Sequence, residues 1–159
     1  MKSIMRWLSG GAVAVLLSVT MTAQAGLLSS LSPTAGALFD QLGGMSTVNA
    51  LTSSFLQSSS EDPALKAMFA GADTATLNAQ VANQLCANLG GDCKPPLTEK
   101  KIKKGAKSLT AAQSSALSAN FKTALSGVTQ SSLMQQAVNA AVGPEIGGIV
   151  AALLSMQAQ

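Results

Sequence analysis

The sequence predicts an all-α domain, and three observations predict it. Apolar residues recur three and four positions apart, as in Leu77, Val81, Leu85 and Leu89, which puts them on one face of a helix. No stretch shows the apolar/polar alternation of a half-buried strand. Gly43-Gly44, Gly90-Gly91, Pro95-Pro96 and Gly143-Pro144 interrupt the pattern at short intervals, leaving the short connections that suit pairwise-packed helices.

The first segment lies outside that domain. Lys2 and Arg6 supply a positive start, residues 10–19 an apolar core and Ala23-Gln24-Ala25 a small-residue cleavage site, so residues 1–25 are expected to be a cleavable secretory signal peptide. The apolar run is shorter than the roughly 20 residues a membrane span needs, so no transmembrane segment is expected after cleavage. The expected localisation is periplasmic or secreted. Residues 26–36, rich in Ser, Leu and Gly, read as a flexible leader, and residues 37–159 as a single helical domain.

Residues 37–45 read as a short helical turn stopped at Gly43-Gly44. The next helix should start at Ser46 or Thr47, whose hydroxyls can cap free N–H groups. It should bury Val48, Leu51, Phe55 and Leu56 and end in Ser58-Ser59-Ser60. Asp62-Pro63 opens a turn that carries Leu65, Met68 and Phe69. Asp73 or Thr74 should cap the helix of Leu77 to Leu89, which stops at Gly90-Gly91. Pro95-Pro96 then enforces an extended connection. Thr98 should cap a short or irregular lysine-rich helix whose apolar content is Ile102, Ala106 and Leu109. Leu117, Phe121, Ala124, Leu125 and Val128 make the next apolar face, and Gly127 is expected to close it. Leu133, Met134, Ala137, Val138, Ala141 and Val142 make another, and Ile146, Ile149, Val150, Leu153 and Leu154 form the stripe of a last helix.

Cleavage would remove the sole arginine and one lysine, leaving eight Lys against seven acids. That balance, with no arginine forks and few aromatics for stacking, excludes a nucleic-acid reading. Cys86 and Cys93 lie close in sequence in a chain bound for an oxidising compartment, so a local disulfide is expected. The loop is short enough that it would contribute only about 2 to 3 kcal/mol.

Several landmarks occur in a telling order. These are Leu38-Phe39-Asp40-Gln41-Leu42-Gly43-Gly44, then Phe55, Asp62-Pro63 with Leu65 and Phe69-Ala70-Gly71, Leu85-Cys86 with Leu89-Gly90-Gly91-Asp92-Cys93, and Val142-Gly143-Pro144. Together they resemble the truncated haemoglobins, the short globins of group I type that pack helices two over two around haem. The resemblance implies a truncated-globin-like 2-on-2 fold, oxygen or haem binding, and a pocket lined by Phe55, Leu56, Phe69, Leu77 and Val81. It places the family's haem-ligating histidine at Ala106, in a chain that contains no histidine. Leu56 stands where the family usually has a tyrosine, and Gln80 and Gln84 are the nearest polar residues on the distal helix.

Globin iron needs an axial donor. The candidate alternative ligands are Lys104 and Lys107, whose amines coordinate only when burial lowers their pKa from about 10.4, and the thioether of Met68, which equally reads as core filling. Without histidine, Ser-His-Asp and Cys-His arrangements are impossible, and a zinc site would lack its commonest nitrogen ligand; Asp40, Glu61, Asp62, Asp73, Asp92, Glu99 and Glu145 sit in turns and caps. No enzyme activity is expected. The expected function is a non-catalytic binding or scaffold protein that has lost histidine-ligated haem, with no cofactor, and with a protein or apolar ligand as partner. A vacated haem cavity costs about 24 cal/mol per Å³, so Leu56, Leu77 and Val81 should collapse into it. The alternative is an oxygen-binding globin that holds haem through Lys or Met. A third reading sets Lys100, Lys104 and Lys107, on one helical face, against an anionic surface.

Overall fold

The computed structural model describes residues 35–159. The signal peptide expected over 1–25 and nearly all of the leader lie outside the described residues. Among those described there are eight α-helices and no strand: α1 Ala35–Leu42, α2 Gly44–Glu61, α3 Lys66–Phe69, α4 Thr74–Asn88, α5 Glu99–Ser108, α6 Ala111–Val128, α7 Ser132–Val142 and α8 Ile146–Gln157. The fold is all-α and globin-like: α2 packs on α4 and α6 on α8, and the two pairs face each other through α2 against α6 and α4 against α8. Phe55 of α2 and Phe121 of α6 meet edge to face at the centre, with ring centroids 5.7 Å apart.

Several ends differ from expectation. The first helix begins at Ala35, two residues early. Gly43 and Gly44 have φ of 113° and 71°, so the chain turns through two left-handed positions and re-enters a helix at once; neither Ser46 nor Thr47 caps it, because both already lie inside α2. That helix runs through the serines to Glu61, with Ser59 buried in it. Asp73, rather than Thr74, caps α4, accepting from the N–H groups of Ala75 and Thr76 at 3.1 and 3.3 Å. Thr98 precedes α5 but makes no capping hydrogen bond. The lysine segment is nonetheless a regular ten-residue helix. Thr110 and Gln113 close a capping box that starts α6, and Gly127 lies inside that helix, one residue before its end.

The last two helices show the largest differences. Leu133, expected in the core, is 71% exposed on the first turn of α7. Gly143-Pro144 bends α7 against α8 by 51°, and α8 buries Ile146 to Leu153 almost all round instead of along one stripe. It is the central helix, packed on α4, α5 and α6. No single described helix is long and apolar enough to cross a membrane.

Candidate functional site

The region the resemblance points to lies between α4, α5 and α8, and its geometry starts with glycine. Gly105 on α5 presses its backbone onto α8: a Cβ there would overlap the Gly148 carbonyl oxygen and stand 2.8 Å from the Ala152 nitrogen. Gly148 answers it, since a Cβ on that residue would overlap the Ile102 carbonyl oxygen. Only glycine permits so close an approach of two backbones. Of all helix pairs, α5 and α8 make the most extensive contact.

This seam decides which way α5 faces. Its buried residues are Ile102 and Gly105, so Ala106, one position on, lies at the rim of the seam beside Gly148 and is exposed. Lys104 and Lys107 are exposed as well. Met68 is half-buried and lines a surface cleft with Leu109 and Leu154. Phe55, Leu56, Phe69, Leu77 and Val81, by contrast, are all buried in one continuous hydrophobic core, with Leu77 and Val81 fully excluded from solvent. The structure thus buries the five residues expected to line a pocket in one core, packs Met68 against the edge of that core, and leaves Ala106, Lys104 and Lys107 on the surface.

The polar residues of α4 are also committed. Gln84, 3% exposed, accepts from the N–H of Leu97 at 3.1 Å and donates to Asn88 Oδ1 at 3.1 Å. Asn88 in turn donates to Glu145 Oε2 at 3.1 Å. This chain of bonds ties the proline-rich connection to α4 and to the start of α8, and engages both polar atoms of Gln84. Gln80 Oε1 and Asn78 Oδ1 are buried without a partner. Asn78 lines a cleft of about 370 Å³ between α2 and α4 with Ser53, Leu56, Gln57 and Thr74.

Cys86 and Cys93 form a disulfide with Cα atoms 5.9 Å apart, so neither is a thiolate ligand. No three His, Cys, Asp or Glu side chains converge on a metal-sized site among the described residues. Around α5 the charges sit outside: Lys103 pairs with Glu99 at 2.5 Å, the one ion pair among the described residues. The hydrogen bond between them holds the Lys103 ammonium above its ordinary pKa and the Glu99 carboxyl below its own. Lys100, Lys103, Lys104 and Lys107 with Glu99 line a shallow surface cleft.

Helical spacing marked the buried faces of α2 and α4, the resemblance named Phe55, Leu56, Phe69, Leu77 and Val81 as a pocket lining, and neither revealed the seam. The signal was available in Gly105, Gly147-Gly148 and Ala151-Ala152, small residues at spacings that let two helices touch. A family model described as bacterial-like globin matches residues 37–142. No curated protein matches the chain.

Proposed function

This chain belongs to the bacterial-like globin family, and on that premise we propose that it is an exported, non-catalytic binding globin that does not hold haem. The α5–α8 seam carries this reading. A globin haem needs an axial donor on the proximal helix and a gap between that helix and the distal one. Here the helix in the proximal place turns Ile102 and Gly105 inward and Ala106 outward. Leu77 and Val81 spend their surface on the core, as expected of apolar residues closing a vacated cavity. The residues present therefore do not fit the group. Lys104 and Lys107 are exposed on the outer face of α5, and Met68 fills the edge of the core.

A titration of the purified protein with haem, followed by absorption in both iron oxidation states, tests the reading. Weak, broad, non-saturating binding is expected. A saturable one-to-one complex with a sharp axial-ligand spectrum, lost on substituting Lys104 and Lys107 or Met68, would overturn it in favour of an oxygen-binding globin with an unusual ligand.

A further inference from the structure

Charge is segregated in this molecule, and α5 holds the positive part. Five of the eight lysines among residues 35–159 lie on it with one acid, a net charge of +4, while the remaining residues of that range carry three lysines and six acids, a net −3. All five are exposed. Successive residues turn about 100° round a helix axis, which places Lys100, Lys101, Lys104 and Lys107 in one arc of about 120° centred on Lys104, with Ile102 and Gly105 behind it in the α8 seam. Lys103 falls outside the arc, where it pairs with Glu99 and feels the charge of Glu145.

The arrangement works against the helix that carries it. Lys104 stands three or four residues from Lys100, Lys101 and Lys107, and each such like-charge pair is destabilising. An external anion relieves that repulsion, and what accompanies the lysines says which kind. Neither α5 nor α8 contains an arginine or an aromatic residue, so no fork or stacking plane is present to fix one shaped anion. Four point charges on flexible stems, spread over about 10 Å of helix, suit instead a laterally mobile array of anions that rearranges to meet them. At the edge of the arc Met156 shares a cleft with Lys101 and Lys104, beside Ser155 and Gln159. It is one of two large hydrophobic residues exposed among those described, at 40%. Basic residues next to an exposed apolar side chain make the pattern of an interfacial contact.

We propose that α5 docks the protein on the surface of an anionic phospholipid bilayer, with Lys100, Lys101, Lys104 and Lys107 against the headgroup phosphates and Met156 entering the headgroup layer. The contact is peripheral, since no single described helix is long and apolar enough to cross a membrane. It goes beyond the haem-free reading and does not rest on it, because none of these residues belongs to the core around Leu77 and Val81.

Co-sedimentation of the purified protein with phosphatidylcholine vesicles, with and without phosphatidylglycerol, tests it. Binding is expected only where phosphatidylglycerol is present, and it should weaken as salt is added. Each lysine near an anionic surface contributes about fivefold to the partition, so Lys100→Gln with Lys104→Gln should weaken it about 25-fold, and Met156→Ser about threefold. Lys66→Gln with Lys122→Gln removes the same charge from exposed positions elsewhere and should change it by no more than about twofold. All three variants replace exposed side chains and should keep the parent's pattern of amide protection. Equal binding to both kinds of vesicle would overturn the proposal. An equal loss in the two lysine pairs would overturn it as well, by reducing the attraction to net charge. Polyglutamate bound as tightly as the vesicles, with Met156→Ser without effect, would overturn it in favour of an acidic protein partner.

Discussion

At the scale of single residues, Gly105 matters more than any side chain on its helix. Its missing Cβ lets two backbones touch, and a branched replacement meets the Gly148 and Ala152 backbone and the rigid Ala152 methyl. Gly105→Val should destabilise the protein by about 1 to 3 kcal/mol or more, read from the midpoint of urea unfolding. Ala106→His is the complementary test. Because that position is exposed at the rim of the seam, the variant should fold like the parent and gain no saturable haem site; a stoichiometric haem complex would show that the closed seam is not what excludes the group. Leu77 makes the same point from inside the core. With no exposed surface to begin with, its truncation to alanine should cost about 2 to 5 kcal/mol, whereas a side chain facing an unfilled pocket would cost far less.

At the scale of elements, α4 and α5 owe their stability to different things. The first is held at both ends. Asp73 caps its start, and the Thr76 hydroxyl, bonded to the carboxylate at 2.6 Å, with the N–H groups of Thr76 and Ala75, keeps that carboxyl below its ordinary pKa of 3.8. A depressed pKa means the contribution is complete above about pH 3.8 and is lost as pH falls through the lower folded value. The protection of the Ala75 and Thr76 amides, measured relative to their intrinsic exchange rates, should therefore fall at acid pH in the parent and stay constant with pH in Asp73→Asn, whose amide still caps. At the other end Gly90 takes φ 86°, Leu89 accepts from the Phe39 N–H at 3.2 Å and Cys86 is stapled to Cys93. Reducing that bond should cost about 2 to 3 kcal/mol and should first release the Phe39 amide to exchange. The second helix, by contrast, carries like charges three and four residues apart, which destabilise an isolated helix. Glu99 relieves one of them, and α5 persists because α8 holds it.

At the scale of the whole molecule, α8 binds the fold into one unit. It touches α4, α5 and α6 and is buried almost all round from Ile146 to Leu153. Unfolding should consequently be cooperative, with the slowest-exchanging amides in α8 and in the part of α2 around Phe55, and with α7 exchanging earlier because only Val138 and Val142 of that helix are buried. The chain has no tyrosine and a single tryptophan, Trp7, so amide exchange is a better probe of this order than near-ultraviolet optics.

Much of this was legible in the sequence, and the division has a physical cause. Helical spacing, glycine and proline stops and the ordered globin-like landmarks determined the fold class, the core residues of α2, α4 and α6 and the Cys86–Cys93 pairing, because each depends on residues near one another in the chain. Three outcomes needed the tertiary structure: that Ala106 faces out while Gly105 faces in, that Leu133 is exposed, and that Gln84 is consumed by Leu97 and Asn88. Each turns on which neighbour a helix packs against. On α5 a single residue of rotation, set by the fit of Gly105 to Gly148, separates a buried position from a solvated one, and periodicity alone does not carry that information.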